Sequence, residues 1–173
     1  MNARDFPRHP RMGVIDENSA SEKIQALKDN QLVVGLCHGC FDVLHFGHLR
    51  HLMSAASMCD ALIVSVTANR YVNKGPERPI FDEKYRAEML SGLACVDGVV
   101  ISNSPSAIMV LDHLKPNKFF KGQEYHLQIQ ERNQNFLKER DYAESKGIEV
   151  IHTFEETFSS TETLNRLYKA LKI

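Results

Sequence analysis

The chain reads as an α/β protein: a Rossmann-like sheet of five parallel strands in the order 3-2-1-4-5, with helices on both faces. Three observations predict it. Short apolar, partly β-branched runs recur along the sequence, the first being Leu32-Val33-Val34-Gly35-Leu36. Stretches with helical spacing of apolar residues lie between them, as in Leu49, Leu52, Met53 and Ala56. The two kinds alternate, and strands separated by helices pair in parallel through crossovers.

Residues 1–18 hold Pro7, Pro10 and Gly13 without apolar periodicity. They read as a tail or loosely docked arm ahead of a single domain over 19–173. A helix is predicted over 19–30, with Ile24 and Leu27 following a serine cap. Strand 32–37, helix 47–58, strand 61–67, helix 82–92 and strand 96–101 follow, with Tyr85, Met89 and Leu93 as the core candidates of helix 82–92. Pro105 fits the first turn of a helix over 105–114, which leads to strand 117–121. A long polar helix over 131–146 closes on Gly147 as its C-cap, before strand 148–152 and a last helix over 161–171. There is no internal repeat, and the aperiodic segment 122–130 reads as a substrate loop.

At 173 residues a single domain with a sizeable core is the natural size. The 43% hydrophobic and 25% charged residues are those of a soluble globular chain. A net charge of −1 gives no global field toward nucleic acid or an anionic membrane. No apolar run approaches the ~20 residues of a membrane span, and the start of the chain lacks a signal-peptide core. Cys37, Cys40, Cys59 and Cys95 lie on or beside predicted core elements and read as reduced thiols. The expectation is a cytoplasmic protein with neither nucleic acid nor membrane as partner.

The stretch that carries chemistry is Cys37-His38-Gly39-Cys40-Phe41-Asp42-Val43-Leu44-His45-Phe46-Gly47-His48, running off a buried strand into a helix. His45 and His48, three apart, share one helix face or one side of a turn. They sit where an α/β sheet opens its crevice and where free backbone N–H groups attract phosphate. Two imidazoles there can stabilise phosphate oxygens whose charge grows during reaction. Gly47 lets the backbone approach closely. The bland alternatives are polar residues at a helix start and an ordinary turn glycine. Cys37, Cys40, His45, His48 and His51 also have the residue types of a zinc site. A structural zinc site usually draws its second ligand pair from a separate knuckle or helix, however, and Cys37 belongs to the strand, so no metal ligands are assigned. Phe41 and Leu44 read as core; Asp42 is a candidate to cap or orient the loop, and its role stays open. Lys74 lies in a proline-stiffened loop, Lys74-Gly75-Pro76-Glu77-Arg78-Pro79, and Lys121 ends the Phe119-Phe120 strand at the crevice rim. Ser159, Ser160 and Thr161 fit the N-cap of the last helix, a position that also suits phosphate.

Gly39-Cys40-Phe41-Asp42-x-Leu44-His45-x-Gly47-His48 resembles the signature of the cytidylyltransferase-like branch of the His-x-Gly-His nucleotidyltransferases. It is especially similar to the heptose-type adenylyltransferases and the glycerol-3-phosphate cytidylyltransferases. Asn73 to Pro79 resembles the family's lysine-bearing loop, Arg86 its helix arginine, Lys121-Gly122-Gln123-Glu124-Tyr125 its Lys-Gly-x-Asp-Tyr segment, and Phe158-Ser159-Ser160-Thr161 its closing motif, in family order across 32–171. The resemblance implies that His45, His48 and Lys74 are catalytic. It implies nucleotide contacts by Gly39, Cys40, Phe41, Gly47, Lys121, Gly122, Ser159, Ser160 and Thr161, and substrate contacts by Arg78, Arg86, Gln123 and Glu124. The sequence departs from the pattern at Glu124, where Asp is usual, and at Leu164, where more distant relatives carry arginine and cationic help would come from elsewhere, such as Arg166. His152-Thr153-Phe154-Glu155-Glu156-Thr157 replaces the Arg-Thr-x-Gly approach of cytidylyl enzymes, which favours ATP over CTP. The implied reaction moves a nucleotidyl group from a nucleoside triphosphate to a sugar or polyol phosphate and releases pyrophosphate, with Mg²⁺. Relatives also imply a homodimer and a separate sugar kinase upstream. The alternatives are a CTP-dependent enzyme for a small alcohol phosphate such as glycerol 3-phosphate, and a non-catalytic nucleotide-binding module.

Overall fold

The computed structural model describes residues 10–123, 134–154, 166 and 168–170. The strands are β1 (Gly13–Val14), β2 (Val34–Gly39), β3 (Ala61–Thr67), β4 (Gly98–Ser102), β5 (Lys118–Lys121) and β6 (Glu149–His152). The helices are α1 (Glu17–Asp29), α2 (Phe46–Ala56), α3 (Glu83–Ser91), α4 (Ile108–Leu114) and α5 (Gln134–Ser145), with a 3₁₀ turn at Asn69–Tyr71. The sheet has six strands in the order β1-β4-β3-β2-β5-β6, every pair parallel, and not the five expected. The five strands read from sequence keep the relative order 3-2-1-4-5, and the sixth is added at the β4 edge.

That extra strand comes from the segment read as an arm. Gly13 and Val14 align with Gly98 and Val99, Met12 N–H donates to Asp97 O at 2.6 Å and Ile15 N–H to Val99 O at 2.9 Å. The Arg11 side chain donates to the carbonyls of Ser91, Leu93 and Val96. Two residues held by backbone bonds leave no hydrophobic period for sequence reading to detect. The following helix starts earlier than expected. Asp16, not a serine, caps α1, its carboxylate accepting Ser19 N–H at 2.9 Å and Ser19 Oγ–H at 2.6 Å.

Apolar residues pack on both faces of the sheet. α2 and α3 cover one face through Leu52, Ala55, Ala87 and Leu90, against Val64, Val66 and Phe120. α1, α4 and α5 cover the other through Ala20, Ile24, Val110, Leu111 and Ala143, against Leu36, Ile63 and Phe119. The core face of α3 differs from the one expected. Tyr85 is 64% exposed and Met89 38%, while Arg86, Ala87 and Leu90 are buried and Leu93 packs at the edge of the core. α4 begins at Ile108 rather than at Pro105, and its first amides are capped from outside, Ala107 N–H donating to Glu139 Oε1 of α5 at 2.8 Å. Gly147 closes α5 with φ +72°, and Ile148 N–H returns to Ala143 O at 2.9 Å.

The layer between β2 and α2 has no room to spare. A Cβ at Gly35 would lie 2.5 Å from Phe120 Cε2 and 2.9 Å from Cys59 Sγ. Gly35→Ala is therefore expected to lower stability by roughly 1–3 kcal/mol, the cost of overpacking a filled core. Urea unfolding checks it, and an unchanged midpoint would count against this packing.

Candidate active site

The central strand β2 has β3 on one side and β5 on the other, and the chain reaches β5 only after winding outward through β3 and β4. The winding direction thus reverses between β2 and β5, and an open α/β sheet has its crevice at the carboxyl ends of such a pair. A cavity of about 330 Å³ lies there. Gly39, Cys40 and Phe41 line it from the end of β2, and Phe120, Lys121 and Gly122 from the end of β5. His48 and His51 of α2 and Lys74 complete one wall, with Pro105 and Asn135, Phe136 and Glu139 opposite.

His45 is the N-cap of α2, its Nδ1 accepting His48 N–H at 3.4 Å. Its ring stacks on that of His48, with centroids 3.7 Å apart and planes 19° from parallel. His45 is not part of the described cavity lining, whereas His48, on which it stacks, is. Phe41, held at φ +47°, sets its ring edge-on to His48 at 5.3 Å. Burial, then the neighbouring His45, Lys74 and His51, drive the pKa of His48 down to about 3. His45 is lowered by burial and by Lys74. Both rings are neutral at pH 7, and His48 Nδ1 is buried without a hydrogen-bond partner. Gly47 lies in the first turn of α2, outside the described lining.

Lys74 lines the cavity from an exposed loop. The far end of that loop is fixed by Asp42, the residue whose role the sequence left open. Asp42 is fully buried, accepts Ile80 N–H at 2.6 Å and Phe81 N–H at 3.3 Å, and pairs with Arg78 Nε. Arg78, expected to hold an acceptor phosphate, is engaged with Asp42, while its Nη2 is buried without a partner. Arg86, expected to face substrate, is fully buried and lies outside the described lining. Its guanidinium donates to Phe81 O and Thr67 O at 2.9 Å, to Asn69 Oδ1 at 2.7 Å and to Cys40 O. A cation so surrounded by acceptors ties together the ends of β2 and β3 and the start of α3.

Lys121 lies where expected, with Nζ 2.7 Å from Glu139 Oε2, both side chains almost wholly buried. Burial pushes the Glu139 carboxyl up, but the Lys121 charge and the hydrogen bonds outweigh it and hold it below its usual value. Sequence reading missed Glu139, a charged residue on a polar helix with no motif around it. It also missed that His38 and His51 line the cavity. His38 Nδ1 lies 3.1 Å from Ser65 Oγ, and His51 Nδ1 lies 2.7 Å from Thr153 Oγ1. Burial, reinforced by Lys121, lowers each to about 4. The available signal was the place of His38 beside Gly39 and the three-residue spacing of His51 from His48. Cys37 is buried in β2 and its thiol is pushed up by burial; among the described residues no group of three His, Cys, Asp or Glu side chains is placed to hold a metal. Gln123 is described but lies outside the described lining; Glu124, Ser159, Ser160 and Thr161 lie outside the described residues. Among the described residues no helix is long and apolar enough to cross a membrane.

An open α/β sheet whose switch-point crevice holds neutral imidazoles, lysines and a helix start is the architecture of a nucleotide-binding transferase. The chain belongs to the cytidylyltransferase-like family, whose model matches residues 36–166, and is a nucleotidyltransferase. It is 34% identical over 146 residues to the bifunctional protein HldE of Helicobacter pylori (strain Shi470), covering 83% of this chain and 29% of that protein. With the bifunctional protein HldE of Mesorhizobium japonicum it shares 38% identity over 114 residues, 65% of this chain and 23% of the relative. The chain thus spans under a third of the length of these relatives. In fold it is similar to a lipopolysaccharide core biosynthesis protein from Thermoplasma volcanium GSS1, with a TM-score of 0.59, 22% identity, and coverage of 74% of this chain and 99% of that one. It is also similar to the pantoate-beta-alanine ligase of Francisella tularensis, with a TM-score of 0.57, 16% identity, and coverage of 94% of this chain and 80% of that one.

The lowered histidines give a pH signature. Unfolded, each takes up its proton near pH 6.5; folded, His38 and His51 refuse it until about 4 and His48 until about 3. Between those values the unfolded chain binds more protons, so stability is full above about pH 6.5 and falls as pH drops toward 4. Urea midpoints measured from pH 7.5 to 4.5 should decline through this window. A flat profile would show the rings to be less buried than described.

Proposed function

We propose that this chain transfers a nucleotidyl group from a nucleoside triphosphate to a phosphorylated sugar or polyol. The observation that carries the reading is the meeting of His48, Lys74 and Lys121 in one cavity beside the first turn of α2. The similarity to bifunctional HldE proteins and the heptose-type form of the segment from Lys121 to Tyr125 support a sugar phosphate as acceptor. The proposal includes a cytoplasmic enzyme that receives its acceptor from a separate sugar kinase and assembles as a homodimer.

In the reaction an oxygen of the acceptor phosphate attacks the α-phosphorus in line. A new P–O bond forms, the bond to the bridging oxygen breaks, and pyrophosphate leaves with the electron pair. A phosphate monoester is largely ionised near neutral pH, so no strong general base is needed. Positioning and charge stabilisation do the work. His48 is the imidazole donor to the phosphoryl oxygens, His45 sets its ring plane, and Lys74 meets the developing charge. Glu139, the carboxylate of the described lining, is already held by Lys121 and Ala107 N–H and is no open metal ligand. Mg²⁺ would enter with the triphosphate and would supply charge neutralisation for the departing pyrophosphate.

Pyrophosphate release, measured with each of the four common nucleoside triphosphates against a panel of sugar and polyol phosphates, tests the reading. No release with any pair would overturn it. His48→Ala should lower turnover by roughly 10²-fold or more, with a smaller loss in nucleotide binding. Near-normal turnover in a folded variant would remove His48 from the chemistry. ATP is expected to outperform CTP by roughly 10- to 100-fold in kcat/KM, the scale at which one unpaired buried group discriminates. A preference for CTP would overturn the adenylyl assignment and leave the transfer mechanism intact.

A further inference from the structure

α2 opens with histidines at three-residue intervals, and the third, His51, has no part in the mechanism above. Positions 48 and 51 share one side of the helix, and helical side chains lean back toward the N-terminus. The ring of His51 therefore faces the same cavity as that of His48, which it lines together with Lys121. Its far side is anchored: Nδ1 lies 2.7 Å from Thr153 Oγ1, just beyond β6. The threonine hydroxyl has one proton, and its other acceptor, Lys121 O, is 3.5 Å away. When the hydroxyl gives that proton to the nearer Nδ1, the ring hydrogen sits on Nε2, and this is the tautomer the proposal requires. Nε2 meets no hydrogen-bonding partner among the described residues and, unlike His48 Nδ1, is not sealed from solvent.

We propose that His51 is a third imidazole donor of the phosphate site, its Nε2–H bonding a phosphoryl oxygen of the bound nucleotide. The inference rests on the nucleotidyltransferase reading and adds a ligand contact to it. A ring fixed as a donor, beside His48 and near the lysine charges, gains most from an anionic oxygen, because hydrogen bonds to charged acceptors are about twice as strong as neutral ones. The Thr153 contact acts as the outer partner that sets the ring's tautomer and plane. His51 also links the two sides of the cavity, since its neighbours include His48 on the α2 wall and Lys121 at the end of β5.

Two substitutions separate this role from a structural one. His51→Asn keeps a polar atom near the Nδ1 position for Thr153 and removes the outer donor. His51→Gln places an amide donor near the Nε2 position and gives up the Thr153 contact. Calorimetry with ATP, CTP and 2′,3′-dideoxy-ATP in Mg²⁺ should show Kd raised roughly tenfold or more in His51→Asn, by the same factor for all three. His51→Gln should recover most of that loss. Nitrogen-15 NMR of the free wild-type protein should show the His51 hydrogen on Nε2. The inference is overturned by an Nδ1–H tautomer, by wild-type affinity in His51→Asn, or by His51→Gln binding as weakly as His51→Asn. A loss that differs between ATP and CTP, or vanishes with the dideoxy nucleotide, moves the contact to the base or ribose and overturns it too. If the wild-type chain binds none of the three, the nucleotidyltransferase reading fails first and takes this one with it.

Discussion

The mouth of the crevice depends on one buried guanidinium. Arg86 reaches from α3 to the carbonyl of Cys40 after β2, the carbonyl of Thr67 at the end of β3, Asn69 beyond it, and the carbonyl of Phe81 before α3. A buried cation is costly unless its hydrogens are taken up, and buried carbonyls are costly unless they accept. Each deficit here cures the other. Asp42 is the anionic counterpart, taking the amides of Ile80 and Phe81 and the Arg78 side chain. Together the two residues fix the turn that carries Cys40 and Phe41 to the end of the loop that carries Lys74. Lys74 itself is exposed, so its place at the cavity comes from the buried pair of anchors behind its loop and not from packing of its own.

Behind that frame the site keeps its charges apart. Lys121 is matched by Glu139, and the imidazoles of His38, His48 and His51 are held neutral by burial and by nearby cations. A neutral imidazole costs far less to bury than an imidazolium, and it still presents one N–H. Donors accumulate around the cavity in this way without the repulsion that a cluster of protonated rings would bring. Thr153, His45 and Ser65 share a single task, which is to hold those rings in place from outside the cavity.

How much of this was legible follows from which forces leave a pattern in sequence. The five longer strands bury continuous apolar runs, and their order follows from where the crossovers can go, so both could be read. β1 is two residues joined through backbone atoms, and no side-chain period announces it. The register of α3 was misread because Tyr85, Met89 and Leu93 form an apolar stripe; the helix instead turns Arg86, Ala87 and Leu90 inward, where four acceptors await the guanidinium. The placement of His48, Lys74 and Lys121 at one cavity was legible because motif residues recur at fixed spacing. Glu139 and Thr153 were not, since each works through a contact far along the chain that only the folded sheet creates. For Arg78 and Arg86 a motif located the residues, while the partners they hold here, Asp42 for Arg78 and four oxygen acceptors for Arg86, come from segments that only the fold brings together.

The division between neutral donors and fixed cations also fits the transfer proposed for this site. An acceptor that arrives already ionised needs no histidine to take its proton, so lowered imidazole pKa values are no handicap. What the reaction requires is donors that do not reorganise as charge moves from the α-phosphorus toward the leaving pyrophosphate, and rings locked by stacking and by a threonine hydroxyl satisfy that. Lys74, on an exposed loop at the cavity, is then placed to meet the charge that develops. Neutral donors held by the fold and a positive charge on a loop divide the work proposed here between holding the phosphate chain and answering its changing charge.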